Sequence, residues 1–306
     1  MNNGSKILVT GGSSMVGTHL KTLLPDATYL TSKHVDLTDQ ADVRRMIKYF
    51  QPETVIHLAA RVGGILDNIA HPAEYFYQNV MMNTILMEES RKEGVEKFVG
   101  ILSTCIYPDV MPIESYPLKE EDLFSGPPTP TNFSYGYAKR CLAVQTEAYN
   151  KEYGLSYNYL TPCNLYSEHD KFIPGKAHFV ADLVRKIVEA KKGDKKLTLF
   201  GSGNPLRQNM YAGDLAKVIK TCLDRNISDS FNVSVSENLS IRETAEIALR
   251  ACDAEEIEIL WDSSKPDGQY RKDVSNQKML SIMPDFKFTS LEEGIKITYK
   301  KMIQND

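Results

Sequence analysis

A tyrosine followed four residues later by a lysine puts a phenol and an ammonium on one face of a helix, one turn apart. The chain of 306 residues holds that spacing twice, at Tyr29/Lys33 and Tyr135/Lys139. Chance can supply one such pair among 16 tyrosines, so position has to choose. Tyr29 falls in the second strand, where its ring is expected to pack in a sheet. Tyr135 opens a helix after the fourth strand, close to the strand ends where ligands bind in open α/β sheets. The chemistry open to the second pair is ketone reduction, in which a nicotinamide hydride leaves an alkoxide that needs a proton. A free phenol has a pKa near 10, and the Lys139 ammonium is expected to lower it. Ser103, at the end of the fourth strand, is placed to orient the carbonyl.

A second constellation lies at the first strand-to-helix junction. In Thr10-Gly11-Gly12-Ser13-Ser14-Met15-Val16-Gly17, Gly11 and Gly17 take the first and third places of a GxxGxxG pattern, and Ser14 takes the middle one. A helix start after such a turn offers unpaired N–H groups to a pyrophosphate, so Gly11, Ser13, Ser14, Met15 and Val16 are the expected cradle. Asp36 has the spacing from Gly17 that suits the ribose hydroxyls of NAD, but it lies beyond the end of the second strand. Lys33 follows that strand directly and suits the 2′-phosphate of NADP. The reading favours NADPH, with Lys33, Asp36 and Leu37 at that end of the cofactor.

The elements that must position these groups alternate strand and helix, the pattern of βαβ units around a parallel sheet. Strands are expected at Lys6–Thr10, Ala27–Leu30, Thr54–Leu58, Lys97–Ser103, Ser156–Leu160 and Leu197–Phe200. Helices are expected at Val16–Leu24, Asp39–Phe50, Pro72–Glu93, Tyr135–Tyr153, Phe179–Lys191, Leu215–Asp224 and Ile241–Ala251. Pro108–Asn132 reads as one long loop, a length that usually has a function in a compact domain.

Composition excludes several classes. With 36 Lys and Arg against 40 Asp and Glu, the net charge is −4, which argues against a nucleic-acid binder. No apolar run approaches the roughly 20 residues needed to span a bilayer, and the expected location is the cytoplasm. The five cysteines are scattered and show no metal-ligand spacing, so no metal site is expected. Cys141, Cys222 and Cys252 fall in helical stretches and read as core.

Taken together, the Gly-rich turn, His57-Leu58-Ala59-Ala60 and the Ser103/Tyr135/Lys139 trio resemble the extended short-chain dehydrogenase/reductase family. Finer runs resemble its GDP-L-fucose synthase branch: Val62-Gly63-Gly64-Ile65, Leu102–Asp109, Asn132–Arg140, Phe200–Gln208 and Ser264–Gln269. The resemblance implies a Rossmann-type doubly wound sheet at 1–165 that binds NADP. It also implies a smaller C-terminal α/β domain at 166–306 for a nucleotide sugar, with some segments interleaved. It implies an NADPH-dependent 3,5-epimerase/4-reductase acting on a GDP-linked 4-keto-6-deoxy sugar, and a homodimer formed through helices of the first domain. Cys105 and His178 are then the acid and base of epimerisation, and two-residue spacing in an extended chain would send Cys105 and Ser103 to one face. Leu58, Ala59, Ala60, Pro162, Asn164, Leu165 and His178 are implied around the cofactor. Thr104, Asn164, Phe179, Lys186, Phe200, Arg207, Arg271 and Lys272 are implied around the substrate, with Phe200 on the guanine and Lys186 and Arg207 on the diphosphate.

The chain departs from the branch pattern at Cys163, at Ser167-Glu168-His169-Asp170-Lys171 and at Ala181. These changes leave a related GDP-4-keto-6-deoxy-heptose or 3,6-dideoxy-hexose open as the sugar. A monofunctional 4-keto reductase, a UDP-sugar 4-epimerase that retains NAD and a non-catalytic nucleotide sensor remain as alternatives.

Overall fold

The computed structural model describes residues 6–304 except 174–176, 266 and 268, so Pro266 and Gly268 of the Ser264–Gln269 run lie outside the described residues. The chain forms two compact units, each assembled from separated stretches. The first comprises Met1–Val110, Glu121–Pro162 and Leu215–Phe231, the second Met111–Glu120, Cys163–Asp214 and Asn232–Asp306.

The first unit runs β1 (Ile7–Thr10), α1 (Met15–Leu23), β2 (Thr28–Leu30), α2 (Gln40–Phe50), β3 (Thr54–His57), α3 (Ile65–Ala70), α4 (Pro72–Lys92), β4 (Lys97–Ile101), α5 (Phe133–Tyr153) and β5 (Asn158–Pro162). Strands β2, β1, β3, β4 and β5 lie side by side and parallel. This is the expected Rossmann-type sheet, and its order reverses between β1 and β3, the switch point at whose strand ends open α/β sheets bind ligands. The strands are nearly continuous apolar runs, as a sheet covered on both faces requires: Leu8, Val9, Val55, Ile56, Phe98 and Val99 are fully buried.

Two boundaries differ from expectation in a way that matters for chemistry. Strand β4 ends at Ile101 and not at Ser103, because Ser103 starts a 3₁₀ turn over Thr104–Ile106 and accepts the Cys105 N–H on its hydroxyl at 3.3 Å. Cys105 is therefore not in extended chain, and the face-sharing argument from two-residue spacing does not apply to it. Helix α5 begins two residues ahead of Tyr135, so the tyrosine sits within its first turn. The Pro108–Asn132 stretch is not plain loop: it contains short 3₁₀ turns at Ile113–Ser115, Glu120–Phe124 and Pro130–Asn132.

The second unit contains β6 (Asn164–Tyr166), α6 (Phe179–Lys192), β7 (Lys196–Phe200), β8 (Leu206–Arg207), β9 (Asn209–Tyr211), the start of α7 (Ala212–Asp224, in the first unit from Leu215 on), β10 (Phe231–Val233), β11 (Leu239–Ser240), α8 (Ile241–Ala251), β12 (Glu258–Asp262), α9 (Gln277–Ile282) and α10 (Leu291–Gln304). Apart from β10, which belongs to the six-stranded sheet, its strands pair two by two, β6 with β9, β7 with β12 and β8 with β11. Val180, Leu183, Val184 and Ile187 recur at helical spacing and turn one face of α6 into a core shared with Leu197, Leu199, Ala248 and Ile295. Cys222 and Cys252 are buried as expected; Cys141 is exposed on α5, because Leu142, Ala143 and Thr146 take the inward face.

Candidate active site

The turn after β1 is built for close approach. Gly11 has φ +72°, and a Cβ there would stand 2.7 Å from the Ala59 nitrogen and 2.8 Å from the Leu58 carbonyl carbon. The Leu58-Ala59-Ala60 segment after β3 is thus packed directly on the Gly-rich turn. Ser14 in the middle place is the N-cap of α1: its hydroxyl accepts the Gly17 N–H at 3.1 Å. That leaves the N–H groups of Met15 and Val16 directed from the helix start, where an anion is favoured. Val16 and Leu37 have buried side chains, so Val16 can serve a ligand only through its backbone. Lys33 is exposed just beyond β2. The Asp36 carboxylate accepts from the backbone and hydroxyl of Thr38, which commits it to the turn leading into α2. Tyr29, in β2, donates its hydroxyl to the Leu24 carbonyl at 3.0 Å, so the Tyr29/Lys33 pair shares no helix face.

At the end of β4 the structure brings Ser103, Thr104, Cys105, Tyr135 and Lys139 together within the first unit. The Ser103 side chain lies beside the Tyr135 hydroxyl, near enough to favour its ionised form. Tyr135 is 9% exposed, Ser103 and Cys105 are half-buried, and Thr104 is buried. One turn along α5, the Lys139 ammonium donates to the Ile101 carbonyl at 2.8 Å and lies 6.0 Å from the Tyr135 ring centre. The expected acidification of the phenol by Lys139 is not what this environment does. Burial pushes the Tyr135 hydroxyl up, with Cys105 adding to the rise and the Ser103 side chain opposing it. Burial also pulls Lys139 down to about 8.

Several residues that position this cluster escaped the sequence reading. His57 is fully buried, its Nδ1 2.7 Å from the Thr10 hydroxyl and its Nε2 2.9 Å from Asn83 Oδ1, and the Asn83 amide reaches the Ala138 carbonyl at 3.4 Å. Burial, aided by the charge of Lys139, pulls its pKa to about 3, so the ring is neutral. Asn79 holds the loop after β3 by accepting the Arg61 N–H and donating to the Arg61 carbonyl, each at 3.1 Å. Tyr75 is fully buried, bonds Asp67 through its hydroxyl, and sets its ring edge-on to Tyr135 at 6.5 Å. A Cβ at Gly63 would overlap that hydroxyl, which accounts for the glycine in the Val62–Ile65 run. The one sequence signal was Tyr75, Asn79 and Asn83 recurring every four residues on α4.

The remaining expected residues, apart from Pro162 at the buried end of β5, lie in the second unit. His178 is the N-cap residue of α6, with a half-exposed ring whose Nδ1 lies 2.9 Å from the buried Asp170 carboxylate. Burial raises the Asp170 carboxyl, but the His178 hydrogen bond and charge outweigh it and the net shift is downward. Phe179 packs against the unit's core, Asn164 donates to the Gln208 carbonyl at 2.9 Å, and Leu165 is half-buried in β6. Phe200 is 62% exposed with the Lys186 ammonium 5.5 Å from its ring centre. Arg207 donates to the Leu206 carbonyl at 2.7 Å. Arg271 is held by Asp273 through two hydrogen bonds of 2.6 and 2.9 Å. Lys272 is near enough to Cys163 to oppose the burial that pushes this thiol up to about 12.

Residues 7–234 match the NAD dependent epimerase/dehydratase family. The chain is similar to the probable GDP-L-fucose synthase of Drosophila melanogaster, 36% identical over 98% of each chain. It is 35% identical to the GDP-L-fucose synthase of Dictyostelium discoideum, over 98% of this chain and 95% of the relative. The crystal structure of a GDP-L-fucose synthetase from Naegleria fowleri bound to NADP matches with a TM-score of 0.89 at 32% identity, over 100% of this chain and 94% of that one. The chain belongs to the NAD dependent epimerase/dehydratase family, in its GDP-L-fucose synthase branch.

Proposed function

We propose that this protein is an NADPH-dependent GDP-4-keto-6-deoxy-mannose 3,5-epimerase/4-reductase. The observation that carries the reading is the Ser103 side chain beside the Tyr135 hydroxyl, with Cys105 in the adjoining turn and Lys139 one helical turn away. A C4 ketone seated against the two hydroxyls acidifies the protons on C3 and C5. Loss of either proton leaves an enolate whose oxygen Ser103 and Tyr135 stabilise, and Cys105 and His178 serve as the acid and base that return a proton on the opposite face. NADPH, when bound, supplies a hydride to C4. Tyr135 then gives its proton to the C4 oxygen, and the Lys139 charge stabilises the phenolate that remains.

The Gly11–Val16 turn, with its uncapped N–H groups and its close seat on Leu58-Ala59-Ala60, fits the cofactor's pyrophosphate. Lys33 suits a 2′-phosphate. In the second unit, exposed Phe200 offers a face for guanine, with Lys186 and Arg207 for the diphosphate. Arg271 already carries a bidentate carboxylate partner, which leaves Lys272 the better cation of that pair. Phe76, Tyr77, Val144 and Tyr153 are exposed on α4 and α5, supporting a homodimer through these helices. Free cysteines, and the absence of a membrane-length apolar helix among the described residues, agree with work in the cytoplasm.

The test is NADPH oxidation with GDP-4-keto-6-deoxy-mannose in D2O, with the product examined by NMR. Oxidation with deuterium at C3 and C5 is expected. Oxidation without deuterium would leave a reductase only, and no oxidation would point to a different sugar or to no turnover at all. Sedimentation of the purified protein decides the dimer.

A further inference from the structure

We propose that Arg140 is a positioning residue that holds the Cys105 turn in register with the helix carrying Tyr135 and Lys139; it rests on the role given to Cys105 above. Arg140 lies on α5 and is 5% exposed. Its Nε donates to the Ile106 carbonyl at 2.6 Å and its Nη2 to the Gly126 carbonyl at 2.7 Å. The guanidinium also lies 5.3 Å from the Tyr137 ring centre and 5.9 Å from that of Phe124. One turn earlier, Gly136 meets the same two segments: a Cβ there would stand 2.7 Å from the Cys105 carbonyl oxygen and 2.8 Å from Pro128 Cβ. Two residues four apart on one helix face thus each touch both the 105–106 turn and the 126–128 stretch.

The chemistry of the site explains why this residue type is there. Carbonyls at the end of a helical turn have no partner within it, and the Ile106 carbonyl finds one in Arg140. A planar fork can reach two carbonyls in separate segments while its faces rest on rings, which an ammonium cannot do. Among the described residues no carboxylate compensates the buried charge. An apolar side chain of similar volume would be the cheaper way to fill this space. What the guanidinium adds is geometry. It fixes the backbone immediately after Cys105, while the Ser103 hydroxyl fixes the Cys105 N–H. A misplacement of about 1 Å at a reacting group can cost ~100-fold in rate.

Two readouts test this, on Arg140→Met and Arg140→Lys. In peptide-resolved alkylation, Cys105 reactivity is compared with that of Cys141, an exposed thiol on the outer face of the same helix. Arg140→Met is expected to raise the Cys105-to-Cys141 ratio at least about fivefold, with Arg140→Lys between it and the wild type. An unchanged ratio overturns the proposal, whatever the enzyme's substrate. In catalysis, solvent deuterium exchange at C3 and C5 is expected to fall about 10- to 100-fold. The reverse hydride step, GDP-L-fucose with NADP, needs no epimerisation and is expected to stay within about twofold. Equal loss of both steps would make Arg140 merely structural and overturn the assignment. If Arg140→Met does not fold, Gly136→Ala presses on the same turn and must give the same split. Absence of exchange in the wild type would sink the proposed function instead, and the alkylation ratio would still decide Arg140.

Discussion

The Lys139 ammonium donates to the carbonyl oxygen of Ile101 at 2.8 Å, fastening α5 to the last residue of β4. The charge is held by a dipole inside the fold, and burial brings its pKa from 10.5 to about 8. The charged form is present below that value and is lost as pH rises through it. We expect kcat for NADPH oxidation to fall on the alkaline side with an apparent pKa of about 8. The stability sign is the opposite. Between about 8 and 10.5 the unfolded chain holds the extra proton, so stability rises with pH across that window. Lys139→Met should remove the alkaline limb and flatten the stability gain. A pH–rate profile with urea midpoints on both sides of the window checks both signs, and an alkaline limb unchanged in Lys139→Met would exclude this lysine.

Tyr135→Phe keeps the ring against Tyr75 and loses only the hydroxyl beside Ser103. Stability should change by no more than about 1.5 kcal/mol, and NADPH affinity should hold. Turnover should fall ~10²–10⁴-fold, the usual worth of a positioned proton donor. Stopped-flow oxidation with a parallel cofactor titration separates the two, and near wild-type turnover would remove Tyr135 from the mechanism.

What the sequence disclosed, and what it hid, follows from how local each determinant is. The Gly11–Gly17 turn and the strands of the first unit were legible because tight turns and apolar runs are written in consecutive residues. Tyr135 and Lys139 were legible because one helical turn joins them. Cys105 was misplaced because a single hydroxyl, that of Ser103, ends the strand and starts a 3₁₀ turn. The buried Asn79 and Asn83 carry no local signal, because their partners, Arg61 and His57, lie 18 and 26 residues away. Strands of two or three residues, such as β8 and β11, are too short to show any period. The shift of Tyr135 is a property of the assembled site, where burial pushes the phenol up although a lysine stands one helical turn away.

Gly11 and Gly94 allow backbone strain to be told apart from close approach. Both have positive φ, +72° and +76°, but a Cβ at Gly11 meets Ala59 at 2.7 Å whereas at Gly94 it meets nothing within 4 Å. Gly94→Ala should cost about 1 kcal/mol, the strain alone. Gly11→Ala should cost ~2–4 kcal/mol in total and weaken NADPH binding at least about tenfold, because the turn must move off the Leu58–Ala60 segment. Urea unfolding with fluorescence titration of NADPH makes the comparison. Equal losses of stability would mean that the contact with Ala59 carries no weight.

His57 supplies an acid limit to the fold. It is fully buried between Thr10 and Asn83, with its pKa drawn from 6.5 to about 3, mainly by burial. Since the folded pKa lies below the unfolded one, the contribution is complete above 6.5 and is lost as pH falls towards 3. Within that window the unfolded chain binds one more proton at this site, so stability should drop by up to about 1.4 kcal/mol per pH unit from His57 alone. His57→Gln cannot take up the proton. The variant should be less stable at pH 7, through the lost packing and hydrogen bonds, yet show a shallower decline on acidification. Urea midpoints at about pH 7, 5.5 and 4.5 give both slopes, and parallel slopes for variant and wild type would show that this ring does not set the acid limit.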